Sequence, residues 1–558
     1  MPGVPLAIIL RRRRNLADTF LSSALLGILI ASLPVWFPPT RIIALTHWAI
    51  DLLWLSAASA ICVAFLVRPR NKALTFSGLR IRIRLLYFVP WLILSVGYAT
   101  VLLTRPILEA DALNYTLPAA QNYVTLNHFS LILSQKFTIG SNISVGWPPL
   151  VPWLCALGIE IGRLFHQSPD RAIRFIPLVY LLIFWVAAHK IAHVMLPRRP
   201  ARYAALLAAS LPLLLFNTVA QALYLDIPIA ACFLALVAAV LSEQPVVKAL
   251  ALGAWALLAV LTKVTGLPLV MVLAFCCFIY YIGGITARIA MVTSVVALVM
   301  LAAKFGLLLN FAGAMQWIVL AAVTMVFWYA IPERRQPWKI GMRSALLAFV
   351  AFLPVIWYFV ERLKTSGGLW EYYIPGRAVF HPPNWEWAEG LILHSNLLDT
   401  YVPHGVREHL GVGVLLWWGF SPILMLVASF GAVLAIRNES PLRLPVTISA
   451  MVLIVWLTVF HSQDYRHLLP VLPFEAIFLL YAIQNVFRRM PSVSNFVVAG
   501  CFVIDLPLAW IAQQNYYASP ISNAIFNQDA AWTTHTLAIT LFLTVACAIG
   551  IASLRFSK

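Results

Sequence analysis

Apolar runs of helical length recur along almost the whole chain, separated by short polar turns. They are continuous rather than alternating, which predicts membrane helices and not barrel strands. At roughly 20 residues per crossing, the runs accommodate about sixteen transmembrane helices. They fall near 16–37, 42–67, 83–104, 172–195, 202–222, 226–242, 246–262, 265–282, 288–308, 312–331, 342–361, 412–436, 443–461, 466–487, 494–512 and 533–555. The expected fold is all-α: a polytopic helical membrane protein with juxtamembrane helices in its external loops. Two polar stretches are long, about 105–171 and 362–411.

Composition agrees, with 62% hydrophobic residues among 558. No soluble domain has this character. The net charge of +19 could suggest a nucleic-acid partner, but the basic residues are scattered through short inter-span loops, which argues against one. Arg11 to Arg14 before an apolar run mimics a signal peptide. The run 16–37 is too long for a signal core and lacks a convincing cleavage site, so it reads as a retained first helix. The seven cysteines all lie in apolar runs without metal or redox spacing, and read as small core hydrophobes.

Charge also orients the chain. With the N-terminus in the cytoplasm and strict alternation, cytoplasmic segments hold 26 of the 39 basic residues, but only Asp18, Glu243, Glu333 and Glu439 of the 20 acids. This requires that the apolar stretch 148–165 does not cross. Pro148, Pro149 and Pro152 at its start, with Glu160 and Arg163 near its end, suit a helix lying on or dipping into the outer surface. Both termini are then cytoplasmic. The compact loops point to a bacterial inner membrane.

The same alternation brings five polar features to the external face: Asp111, Asp226, Lys263, the 362–411 loop, and the stretch from His461 to His467. Carboxylates against a bilayer are costly and mark function. In Glu109-Ala-Asp111-Ala-Leu-Asn-Tyr115, Asp111 and Tyr115 are four apart and share a face if helical. A carboxylate there could take a proton from an acceptor hydroxyl; the structural alternative is a helix N-cap. Asp226 in Tyr224-Leu-Asp-Ile-Pro228 has the same alternative. Lys263 in Leu261-Thr-Lys-Val-Thr-Gly266 could meet a phosphate as a point charge, or snorkel to the interface. Arg466, at a helix start in Asp464-Tyr465-Arg466-His467, could bind phosphate bidentately or pair with Asp464. Arg377 is a further candidate phosphate contact. His381, His394, His404 and His409 lack tight ligand spacing. No metal site is assigned; a divalent cation is optional and no cofactor is required.

In order, these stretches resemble the GT-C superfamily of polyprenyl-phosphate-sugar-dependent glycosyltransferases. The branch they resemble holds the protein O-mannosyltransferases and the bacterial aminoarabinose transferase acting on lipid A. Asp111 and Tyr115 match that family's D-E-x-x-Y pattern, with Ala112 in place of the second acid. Gly146-Trp-Pro-Pro-Leu150 looks like its x-P-P-L surface helix, with Trp147 where a basic residue is usual. Pro197 to Arg202 with Asp226 looks like its basic turn and second external acid. Lys263 to Gly266 and Tyr465 to Pro470 resemble its later elements.

The likeness spans about 83–490. Residues 1–82 would then be two added helices and a basic loop, and 491–558 C-terminal helices. The resemblance implies a catalytic module on 83–490. In it Asp111 acts as base, Lys263, Arg466 and Arg377 face the donor phosphate, and Glu109, Tyr115, Asp226, Asp464 and Tyr465 orient substrate. The partners implied are a polyprenyl-phosphate sugar, a lipid, glycan or protein acceptor, and membrane lipids. Two rivals remain: an oligosaccharyltransferase using a lipid diphosphate donor, with a metal held by Asp111 and Asp226, and a transporter or lipid flippase. For the latter, Asp51, Glu475 and Asp505 are the charges within spans.

Overall fold

The structure is a computed structural model. It describes residues 16–36, 43–66, 116–129, 148–209, 225–241, 245–263, 265–304, 314–334, 342–366, 422–458, 468–490 and most of 493–501. Among these every regular element is helical, as the apolar periodicity predicts. In chain order they are α1 (Leu16–Ala31), α2 (Leu33–Trp36), α3 (Leu45–Leu66), α4 (Leu117–Leu126), α5 (Leu150–Leu164), α6 (Pro169–Ile173), α7 (Phe175–Met195), α8 (Arg198–Ala209), α9 (Asp226–Val240), α10 (Pro245–Thr262), α11 (Gly266–Ile282), α12 (Gly284–Lys304), α13 (Ala314–Ala330), α14 (Met342–Ser366), α15 (Pro422–Arg437), α16 (Arg443–Thr458) and α17 (Leu472–Val486). The expected spans 83–104 and 533–555, and much of 202–222, 412–436 and 494–512, lie outside the described residues. Among the described residues Arg171–Met195 is long and apolar enough to cross a membrane; the other apolar stretches found within the helices are shorter, at 10–17 residues.

The bundle is built around α9, which packs between α7 and α10. Every one of its residues is buried. A helix apolar all round belongs in a core, and its alanines let the neighbouring backbones approach closely. Around it, α10 meets α14, α8 meets α7 and α17, α15 meets α17, and α11 meets α16. Two of these contacts need glycine. A Cβ on Gly253 of α10 would come within 2.6 Å of the Ala351 Cβ on α14, and one on Gly431 of α15 would collide with the Phe478 carbonyl of α17.

The first expected span is broken. Pro34 has no N–H to continue the ladder, and Ser32 Oγ donates back to the Ile28 carbonyl at 2.7 Å. The chain restarts as α2, with the Val35 amide bonded to the Ser32 carbonyl at 2.8 Å.

Relative helix directions follow from shared contacts. Asp18 at the start of α1 and Lys248 at the start of α10 line one cavity with Lys190 near the end of α7, and with Ala235 and Ala239 late in α9. Thus α1 and α10 run one way and α7 and α9 the other. Ala31, Phe175, Asp226 and Lys263 all lie at the opposite end, about 20 Å away at 1.5 Å per residue.

The stretch 148–165 forms α5, which starts and finishes at that same end. Its Trp153 Nε1 donates to the Ala31 carbonyl at 3.0 Å, while Gly162 near its close lies against Ala172, just before α7 begins. It therefore does not cross the bundle. It differs from the expected surface helix in being enclosed: Leu150, Val151, Trp153, Cys155, Ala156 and Ile159 are buried, and α3, α4, α6, α7 and α10 pack on it. Of its two charges, Arg163 reaches Glu160 at 2.6 Å, and Arg163 is about half exposed while Glu160 is buried.

Candidate functional site

At this end of the bundle the structure brings together two of the residues singled out from sequence. Asp226 opens α9 and Lys263 immediately follows α10, and their side chains form a buried ion pair. Asp226 is fully buried and Lys263 is 7% exposed. Each charge also suits its place on its helix. A carboxylate is favoured at a helix N-terminus and an ammonium at a C-terminus, because the backbone dipoles present positive and negative ends there.

The geometry decides between the structural alternatives for both residues. Asp226 lies inside the first turn of α9, and Leu225 occupies the N-cap without a side-chain bond, so the carboxylate is not capping its helix. Its partner is the ammonium. Lys263 is not snorkelling to an interface, since its side chain is buried against Asp226.

The turn that carries Lys263 is held by backbone. The Lys263 amide donates to the Ala259 carbonyl at 3.3 Å, and the Gly266 amide donates to the Lys263 carbonyl at 2.9 Å. Gly266 starts α11 directly against the end of α10: a Cβ there would strike the Ala259 carbonyl oxygen and lie 2.5 Å from its carbon. Glycine at 266 is what lets α11 begin so soon after Lys263. The motif Lys263-Val-Thr-Gly266 thus has a packing reason as well as a chemical one.

The segment following Asp111 and Tyr115 in sequence packs at the same end. Asn127 closes α4 in the left-handed conformation, with φ 57°. Its carbonyl accepts the Leu45 amide at 2.7 Å, and its Oδ1 accepts the Thr46 amide at 2.9 Å. One residue so satisfies two of the orphan amides at the start of α3. Tyr123, Phe129 and Trp153 pack ring to ring, with centroids 5.4 to 5.8 Å apart. This cluster fastens α4 onto α5, and Trp153 and Trp48 both donate to the Ala31 carbonyl at the end of α1. Asn127 was not singled out from sequence. Its signal, an Asn just past an amphipathic run, indicates a helix stop but not the distant amides it serves.

Glu109, Asp111, Tyr115, Arg377, Asp464, Tyr465 and Arg466 lie outside the described residues, as do His381, His394, His404, His409 and Asp505. Among the described residues no three His, Cys, Asp or Glu side chains converge as metal ligands would. A second cluster of charge, half-buried Asp18 with the buried Lys190 and Lys248, lies at the far end of the bundle. From sequence these three read only as loop charges.

No protein-family model matches the chain, and no curated protein matches it significantly. Among solved structures, it is similar to apo ArnT from Cupriavidus metallidurans, with 13% identity and a TM-score of 0.46 over 85% of this chain and 75% of that one. The same protein bound to undecaprenyl phosphate gives 13% identity and a TM-score of 0.40 over 85% and 77%. The oligosaccharyltransferase of Archaeoglobus fulgidus, in complex with Zn and sulfate, gives 13% identity and a TM-score of 0.42 over 77% of this chain and 53% of that one. Likenesses at this level carry no argument of their own.

Proposed function

We propose that the chain is a membrane glycosyltransferase. It moves a sugar from a polyprenyl-phosphate donor to a hydroxyl acceptor at the external face of the membrane. The observation that carries this reading is the buried Asp226–Lys263 pair, at the end of the bundle where α4 and α5, the helices following Asp111 in sequence, are packed. A buried ion pair is costly to build and adds little stability compared with apolar residues of equal volume. Its presence at the end of the most buried helix therefore asks for a functional reason.

In the proposed reaction Asp111 takes the proton of the acceptor hydroxyl as the oxygen attacks the anomeric carbon. The bond from that carbon to the phosphate oxygen breaks, and the electron pair leaves with the polyprenyl phosphate. Negative charge grows on that phosphate in the transition state, where fixed cations stabilise it most. Lys263 and Arg466 take this role, with Arg377 as a further contact. Asp226 holds the Lys263 ammonium in place before the donor arrives. Glu109, Tyr115, Asp464 and Tyr465 orient the substrates. The 362–411 loop closes over the sugar and keeps out water, which would otherwise compete as acceptor.

The test is a transfer assay in membranes with a panel of polyprenyl-phosphate sugars, comparing the chain with its Asp111→Asn variant. The expected result is release of one sugar from its carrier, with a loss of about 10²- to 10⁴-fold in the variant, the usual worth of a general base. Full activity in a normally inserted Asp111→Asn variant would remove Asp111 from the mechanism. Consumption of a diphosphate-linked donor alone, abolished by a chelator, would turn the reading to a metal-dependent oligosaccharyltransferase.

A further inference from the structure

The proposed transfer leaves Asp51 of α3 without a role. α3 packs on α5 and buries Leu45, Ala49 and Leu52. His47, Asp51, Trp54, Ala58 and Ile61 follow one another in alternating steps of four and three residues, and all five are exposed, Trp54 at 73%. They form one stripe along the helix, on the side away from α5. Among the described residues no hydrogen bond or ion pair reaches His47 or Asp51.

An exposed apolar face on a membrane helix needs no cover beyond lipid. A carboxylate does. Asp51 lies about 9 Å along the axis from the start of α3, inside the apolar run 42–67. Its short side chain cannot snorkel to the surface as lysine or arginine does. Charged groups at such positions face a bundle interior, a water-filled cavity or a pairing group rather than lipid tails.

The stripe carries its own complement. Two copies of one chain insert in the same orientation, so their α3 helices meet parallel and at equal depth. Alternating steps of four and three are the seam of two parallel supercoiled helices, where a side chain at 47 packs against position 51 of the other helix. The two-fold axis repeats that contact. His47 of each copy then faces Asp51 of the other, and an imidazole has an N–H to donate to a carboxylate whether it is neutral or charged. Further along the seam, the small side chain of Ala58 lets the two backbones approach closely.

We infer that the outward face of α3 is an interface between two parallel copies of this chain, closed within the membrane by reciprocal His47–Asp51 pairs. The inference stands whether or not the chain transfers sugar.

The experiment uses the full chain in membranes, with Cys62→Ser and Cys547→Ser as background. Ala58→Cys should form a covalent dimer on mild oxidation, because seam positions bring their Cβ atoms within disulfide reach. Leu52→Cys, on the face against α5, and Met300→Cys, at an exposed position of α12, should not. The second readout is the dimer fraction on dilution into lipid vesicles, counted by single-molecule photobleaching. Asp51→Lys should weaken dimerisation at least tenfold. The exchanged pair, His47→Asp with Asp51→His, should restore it, which a variant harmed only in folding would not do. If Asp51→Lys does not insert, the Ala58→Cys cross-link decides. A chain that stays monomeric in vesicles overturns the inference and assigns the face to another segment or another protein. A dimer that Asp51→Lys leaves intact, or that Ala58→Cys fails to trap, overturns it too.

Discussion

At the scale of single residues, the Asp226–Lys263 pair makes a sharp claim, because a buried charge deprived of its partner is far more costly than the pair is valuable. Asp226→Leu or Lys263→Met alone should each destabilise the chain by about 3–5 kcal/mol. The double variant, with both charges gone, should recover most of that. Chemical unfolding in detergent reads the cycle. Activity should behave differently: if Lys263 faces the donor phosphate, the stable double variant stays inactive. Recovery of both stability and transfer in the double variant would make the pair purely structural. These two residues were legible in the sequence because a charge beside a long apolar run stands out on its own. Their pairing was not legible, since 37 residues separate them and only the antiparallel packing of α9 on α10 joins them. Asp18 and Lys190, 172 residues apart, show the same limit more strongly. Each looked like an ordinary charge in a short cytoplasmic turn.

At the scale of elements, apolar periodicity predicted where the helices are, but close contacts between backbones decide how they fit, and these depend on glycines with no periodicity of their own. Gly27 and Gly431 make the contrast. Around Gly27 in α1 there is open space, whereas Gly431 in α15 lies on the Phe478 carbonyl of α17. Gly27→Ala should therefore be neutral or stabilise by about 0.5–1 kcal/mol through helix propensity. Gly431→Ala should cost about 1–3 kcal/mol by forcing α15 and α17 apart. Equal shifts in unfolding midpoint for the two variants would contradict this packing. Caps show the same dependence on distant partners. Asn127→Gly keeps the left-handed backbone but loses the bond to the Thr46 amide, and should cost about 0.5–1.5 kcal/mol; Asn127→Ala adds backbone strain and should cost more. The enclosure of α5 was hidden for a related reason. Its prolines and its pair of charges matched a surface helix, while what covers it comes from α3, α4 and α10, far away in the chain.

At the scale of the whole molecule, the two charge clusters give the bundle two chemically distinct ends. Asp226 and Lys263 mark one, Asp18, Lys190 and Lys248 the other, and the apolar body of α9 after Asp226 separates them. Charge bias in the sequence assigns the first end to the outside, and the proposed chemistry depends on that assignment, because a polyprenyl-linked sugar must meet its acceptor on the face where Asp111 lies. Exposed residues at the two ends allow a direct measurement. His128 follows Asn127 at the Lys263 end, and Arg198 follows α7 at the Lys190 end; both are exposed. Cys155, Cys232, Cys276, Cys277 and Cys501 are buried, so replacing Cys62 and Cys547 leaves little background. In intact cells a membrane-impermeant maleimide should label His128→Cys at once, and Arg198→Cys only after the membrane is permeabilised. The reverse pattern would put the Asp226–Lys263 pair in the cytoplasm, where soluble nucleotide sugars are at hand and a lipid-linked donor would have no advantage. Labelling of both positions in intact cells would mean that the two ends do not face opposite sides, and that α7, which among the described residues is long and apolar enough to cross, does not cross in this protein.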